Sequence, residues 1–318
     1  MIAVNEKCPM GYLIFKKVKI HNANSISSPL TYGFPAVTGF LGAFHAISRK
    51  LQADPELNNL SLGGVLLACH DCQPKIYRPT NYSNYTFNQS RNPIKEDGKP
   101  DSIIEEGKCD LTMTFVVEVL NDDDINREQQ QALMNKTLQW IQQHRIAGGS
   151  VHGLDRFQPI QFISYEDIDS IPPLLIPAFV LMDAKNDFIE IIEQIQKETP
   201  EATALNALID VCTIHHIPEE QENGEIKWLN QSVKKNRGWL VPMPIGYQSI
   251  SEKFVPSLME NVRNPEYSSQ YVEAIYGLGK WIFPYHLNNN DQLEHAFWRY
   301  NYDAENHLYL TNQENPYL

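Results

Sequence analysis

Between Tyr12 and Ser164 the chain switches between two hydrophobic periods in an order that few folds accommodate. Tyr12 to Ile20 carries apolar side chains at Tyr12, Ile14, Val18 and Ile20 with Lys17 and Lys19 on the other face, the pattern of a half-buried strand. Phe34 to Leu51 then places Phe40, Leu41, Phe44, Ile47 and Leu51 at helical spacing, with Pro35 in the first turn. Leu62 to Ile76 reads as a second strand and Cys109 to Leu120 as a third. A helix starting at Asp124 runs from about Ile125 to His144 with Leu133, Leu138, Trp140 and Ile141 inward, and Phe157 to Ser164 is the fourth strand. Strand, helix, strand, strand, helix, strand is the split βαβ order. It predicts an α+β protein built on a ferredoxin-like (RRM-like) domain, a scaffold of RNA-recognition modules.

The 318 residues suffice for one large domain or two smaller ones. The expected division is an RRM-like domain over 1–168, interrupted by an insertion at about 78–108, and a C-terminal α/β extension over 169–318 that packs on it. In that extension Ile171 to Met182 reads as a buried strand, and Asp187 to Lys197 and Ala202 to Cys212 as helices. His215 to Asn236 is polar and reads as a flexible connection. Trp239 to Pro242 predicts a strand, while Val272 to Phe283 is amphipathic, with Gly277 and Gly279 arguing against a helix.

Net charge is −13, which disfavours a free-standing binder of bulk nucleic acid. Its distribution is uneven. Lys7, Lys16, Lys17, Lys19, Arg49 and Lys50 face Glu6 alone within the first fifty residues, a balance of +5 that leaves −18 for the rest. A second basic strip contains Lys227, Lys234, Lys235 and Arg237. Local basic strips on an acidic body suit a grip on a short phosphate backbone. No run of eighteen apolar residues occurs, and MIAVNEKCPMGY lacks the pattern of a secretory signal, so no membrane partner is expected. Five cysteines without a regular framework fit a reducing, cytoplasmic setting.

Three segments carry candidate chemistry. His21 to Pro35 is a polar crossover whose Asn22, Asn24, Ser25, Ser27, Ser28 and Tyr32 present donors to a ligand, and it ends at a helix N-terminus that favours anions such as phosphate. Arg78 to Lys108 is either an extended hairpin or a mobile loop, with Arg78, Arg91 and Asn92 as polar candidates and Tyr82, Tyr85 and Phe87 as stacking ones. Arg145 to Ser150 reads as a helix C-cap and loop at Gly148-Gly149, flanked by two phosphate partners, Arg145 and Ser150. Arg237 and Trp239 are secondary candidates. Cys69-His70-Asp71-Cys72 has C-x-x-C spacing, yet Cys8, Cys109 and Cys212 stand singly, so neither a metal nor another cofactor is expected.

The run NANSISSPLTYGFP followed by GFLGAFHAI resembles the N-terminal signature of the Csy-type members of the Cas-five family in type I-F CRISPR Cascade. Arg91-Asn92-Pro93 with Asp97-Gly98, Ile104 to Gly107, Arg145 to Ser150, Gly238 to Pro244 with Gly246-Tyr247, and Glu273 to Gly279 follow in the family's order, to about residue 282. The resemblance implies a non-catalytic RNA-binding subunit that caps the 5′ handle of the guide RNA. It names the 78–108 insertion a β-hairpin thumb and makes the Gly148-Gly149 segment a loop through which the main chain approaches RNA. Implied partners are the large (Cas-eight-type) subunit, through it target DNA near the protospacer-adjacent motif, and the first Cas-seven-type backbone subunit. Amides and hydroxyls would read base edges and ribose hydroxyls while arginines neutralise phosphates. The alternative is a metal-independent endoribonuclease that processes the precursor RNA, with His21, His45 and Tyr32 as acid–base candidates. The first loop opens on His21 where relatives carry Gln, and the tail after Phe283 matches the family only loosely.

Overall fold

Strand β1 (Cys8–Asn24) is longer than its alternation predicts, and it is buried on both faces over Gly11 to Phe15. The structure, a computed structural model, describes residues 8–316 apart from 92, 122–124, 222–223, 263 and 288–289. The fold is mixed α and β with a mostly antiparallel sheet, and the chain forms two compact units. One holds the residues up to Leu181 together with Phe283–Arg299 and those from Gln313 on; the other holds Met182–Ile282 and Tyr300–Asn312.

In the first unit β1 is followed by α1 (Val37–Gln52) and β2 (Ser61–Pro74), then by a small outlying sheet of β3 (Ile76–Tyr77), β4 (Thr86–Arg91) and β5 (Ile103–Glu106). Next come β6 (Lys108–Asn121), α2 (Arg127–Gln143), β7 (Arg145–Ile146), β8 (Gly149–Gly153), β9 (Ile160–Ser164), α3 (Ile171–Leu175) and β10 (Phe179–Asp183). The sheet runs β10-β2-β6-β1-β8-β7, with β9 also on β1. Phe15, opposite Phe115 across β1 and β6, fixes the register and points at α1. There Phe44 stands 5.6 Å from Phe15 and 5.2 Å from Phe115, and Phe40 stands 5.7 Å from Phe115, between ring centroids.

Several sequence expectations are corrected. Helix α1 begins at Val37, so Pro35 precedes it, and Ala36 caps it without a side-chain bond. Helix α2 is capped by Asn126 in a reciprocal box with Gln129, a stronger N-terminal signal than Asp124, which lies outside the described residues. Leu138 and Trp140 are only half-buried, whereas Leu133, Thr137 and Ile141 are fully so. Ile171 to Leu175 is a short helix with proline in its first turn, where a missing N–H costs nothing, so the strand is confined to Phe179–Asp183.

The other face of β1 near its start is covered by residues 283–299. Tyr12 stacks on Phe297 at 5.3 Å and on Tyr165 at 6.1 Å. Trp298 exchanges backbone hydrogen bonds with Val65, both 3.0 Å, and its Nε1 donates to the Leu181 carbonyl at 2.8 Å. Arg299 pairs with both carboxylate oxygens of buried Glu118.

In the second unit α4 (Lys185–Glu198) and α5 (Ala204–Val211) cover a sheet of β13 (Trp239–Ser249), β14 (Val272–Ile282), β15 (Arg299–Asp303) and β16 (Leu308–Asn312). Ile191, Ala207, Leu208, Val211, Leu240 and Leu278 form its core. His215 to Asn236, expected to be flexible, contains a hairpin of β11 (His215–Glu220) and β12 (Ile226–Gln231).

Candidate functional site

β1 continues to Asn24, so the polar crossover is shorter than its sequence suggests. Lys17 and Asn22 both adopt positive φ, at 48° and 56°, and bend the strand where its pairing with β6 shifts register. The Asn22 N–H donates to Asp110 Oδ1 at 2.9 Å, and Lys75 Nζ donates to Asn22 Oδ1 at 2.6 Å. Asp110 Oδ1 also meets His21 Nδ1 at 2.9 Å and Lys75 Nζ at 3.0 Å. Burial raises the Asp110 pKa, but the Asn22 and Lys75 hydrogen bonds and the charges of Lys75 and His21 outweigh it and hold the group below the usual carboxylate range.

Residues 25–33 close on themselves. Ile26 bridges Tyr32, the Ser25 N–H donates to Gly107 O, and the Gly33 N–H donates to Ser25 O. The Ser27 and Ser28 hydroxyls each meet Thr31 Oγ1 at 2.7 Å, so both shape the loop itself. Ser25 Oγ is fully buried and, among the described residues, is the one buried side-chain polar atom without a partner. The ring of Tyr32 is 63% exposed and stands edge-on to Phe87 of β4 at 5.5 Å.

Arg145 to Ser150 is no helix cap. Helix α2 ends at Gln143 with His144 extended, and Ala147-Gly148 is a two-residue hairpin turn between β7 and β8, with φ of 48° and 80°. Arg145 Nε donates to the Gly148 carbonyl at 3.0 Å, closing that turn. The turn lies against the crossover: the Asn24 N–H donates to Ala147 O at 2.9 Å, and the Ala147 N–H donates to Gly39 O in the first turn of α1. A Cβ on Gly149 would stand 2.7 Å from Ala23 N and 2.8 Å from His21 O, backbone atoms that cannot step aside. Gly149→Ala is therefore expected to cost about 1–3 kcal/mol by forcing β8 off β1, read as a lowered midpoint in thermal unfolding.

In the 76–106 sheet Arg78 closes its own turn, with Nε donating to Ser83 O at 2.9 Å and the guanidinium 4.9 Å above the Tyr85 ring. Tyr82 is 99% exposed. Arg91 pairs with Ile103 at the end of β4, and Asn92 lies outside the described residues. Arg237 belongs to the second unit and is paired with Glu190 at 2.6 Å and Asp187 at 3.7 Å.

The structure thus brings Asn22, Asn24, Ser25, Ser27, Ser28 and Tyr32 together with Gly148 and Gly149 and, through Phe87, with the 76–106 sheet. Lys75 and Asp110, which hold Asn22, escaped sequence reading because one follows a strand and the other interrupts an apolar one. Cys69 and Cys72 lie on β2, and burial pushes the Cys69 thiol up to about 12. No cluster of three metal-ligating side chains occurs among the described residues, and no helix there is long and apolar enough to cross a membrane.

The family described as CRISPR-associated protein (Cas_Csy2) matches residues 13–311. CRISPR-associated protein Csy2 of Pseudomonas aeruginosa (strain UCBPP-PA14) is 30% identical over 319 residues, covering 95% of this chain and 94% of that protein. The match takes in both compact units, including the β14–β16 region that motif comparison followed only in part. The chain therefore belongs to the Csy2 family of CRISPR-associated proteins, subunits of the type I-F Csy complex.

Proposed function

We propose that the chain is a non-catalytic subunit that binds the 5′ handle of the guide RNA. The observation that carries the reading is the convergence of three separate sequence segments, the 22–33 crossover, the Ala147-Gly148 turn and the 76–106 sheet, on one region of the first unit. The strand order β2-β6-β1-β8, with α1 and α2 as crossovers, supports a ferredoxin-like domain. The 76–106 sheet is its thumb. Asn24, Ser150 and the exposed Tyr32 would contact bases and ribose hydroxyls, and the exposed guanidiniums of Arg78 and Arg145, which also brace their own turns, would meet phosphates with the donors left over. The large Cas-eight-type subunit and a Cas-seven-type backbone subunit are the protein partners in the cytoplasm. The non-catalytic reading is favoured over an endoribonuclease by membership of a family of Csy-complex subunits and by His45, which sits on the exposed side of α1; His21, paired with Asp110, is the acid–base candidate that a cleavage assay must exclude.

Binding of handle RNA to the full chain, titrated against salt, tests the reading. The logarithm of the affinity should fall with that of salt by about 0.7 per neutralised phosphate. Tyr32→Ala should weaken binding by about 1–3 kcal/mol if a base stacks there. Crosslinks from the RNA that map away from Asn24, Tyr32 and Gly148 would overturn it, as would metal-independent cleavage lost in His21→Ala.

A further inference from the structure

The strand that carries Phe115 toward α1 turns Asp110 and Thr112 to the opposite face of the sheet, since neighbouring side chains alternate. On that face lies a cavity of about 300 Å³, to which β1 contributes Lys19 and His21, β2 Asp71 and Gln73, β6 Asp110 and Thr112, and β8 His152. That volume lies at the lower end of the range for small-ligand sites, enough for a single base. Of these residues only His21 and Asp110 figure in the interface described above.

The lining selects the chemistry. Two carboxylates, Asp71 and Asp110, face the space, and both are held in place: Gln73 Nε2 donates to Asp71 Oδ2 at 2.8 Å, while Asn22, His21 and Lys75 converge on Asp110 Oδ1. Fixed anions repel a phosphate and accept from a neutral ligand that carries N–H donors. The His21 and His152 rings meet edge-on, centroids 5.3 Å apart at 87°, and form a wall against which a flat ring packs. The ammonium of Lys19 supplies a donor for a carbonyl oxygen beside those N–H groups. A flat ligand with an exocyclic amine and a carbonyl on either side of one ring nitrogen is a cytosine or a guanine, whereas uracil has no amine to offer.

We propose that this cavity takes one unstacked cytosine or guanine of bound RNA and rejects uracil. The inference rests on the RNA-binding reading above and adds base selectivity at a second place on the same unit.

Short fluorescent oligocytidylate and oligouridylate, titrated into the full chain at one fixed salt concentration, test it by anisotropy. Oligocytidylate is expected to bind about 5- to 150-fold more tightly, the discrimination one good carboxylate-to-amine contact provides. Asp71→Asn, an isosteric change at an exposed side chain, should pull that ratio toward one without weakening oligouridylate, and His152→Ala should lower it too. Equal affinities in the wild-type chain, or a ratio unchanged in both variants, would overturn the cavity while leaving RNA binding standing. Failure of both oligonucleotides to bind would overturn the RNA-binding reading and this one with it.

Discussion

Arg299→Ala is expected to lower the free energy of unfolding by about 3–5 kcal/mol, because it strands an ionised carboxylate inside the protein. The two side chains are 9% and 2% exposed, Nε donates to Glu118 Oε2 at 3.1 Å, and Nη2 reaches Oε1. Among the described residues no second cation pairs with Glu118, which also accepts from the Gly64 N–H at 2.6 Å. Arg299 also donates to the carbonyls of Phe297 and Glu314, so its loss unties the last segment of the first unit. The glycines at 63 and 64 belong to the same arrangement, since a Cβ on either would come within 2.8 Å of the Glu118 carboxylate. Exchanging the pair together, Glu118→Leu with Arg299→Met, should cost much less than Arg299→Ala alone, because no charge is left behind. Urea unfolding of the three proteins measures the difference. A single-variant loss below about 1 kcal/mol would show that water reaches the carboxylate.

Phe115→Ala should be comparably damaging, at about 3–5 kcal/mol. The ring faces Phe15 across one strand pair and Leu67 across the other, and it contacts both Phe40 and Phe44 of α1. Four neighbours fixed in three elements cannot all collapse into the space it leaves, so the cavity persists. Phe115→Leu retains part of the volume and should cost less. Equal losses for the two variants in the same urea experiment would mean that the site repacks.

The elements legible in the sequence are those whose apolar side chains recur at the period of the element. The first strand, α1, β2, β6 and α2 carry that periodicity, because each turns apolar side chains into one core. The misread stretches are held by groups that apolar periodicity does not report. Polar side chains dominate His215 to Gln231, yet it forms a hairpin because the ladder runs through backbone groups that composition does not report. Val272 to Ile282 keeps two glycines in a strand, with the Ile245 side chain of β13 packed over Gly277. Pro242 and Pro244 sit within β13, whose contact with β16 is confined to Gly246–Gln248, so that side of the strand needs no N–H from them. In the candidate site, residue types and rough neighbourhood were legible in the Asn/Ser run and the glycine pair. The employment of Ser27, Ser28, Arg78 and Arg145 within their own loops was not, since hydroxyls and guanidiniums that shape a turn look the same in sequence as those that meet a ligand.

The path of residues 283–299 back into the first unit has a bearing on synthesis. When a ribosome has made the sheet through Val180, Glu118 is an unanswered charge, Tyr12 has the ring of Tyr165 but not that of Phe297, and one backbone flank of Val65 is bare. Their counterparts emerge more than a hundred residues later, with Phe297, Trp298 and Arg299. The amino-terminal half therefore cannot mature on the nascent chain, and a fragment cut after Leu181 would expose the same faces to chaperones and to other copies of itself.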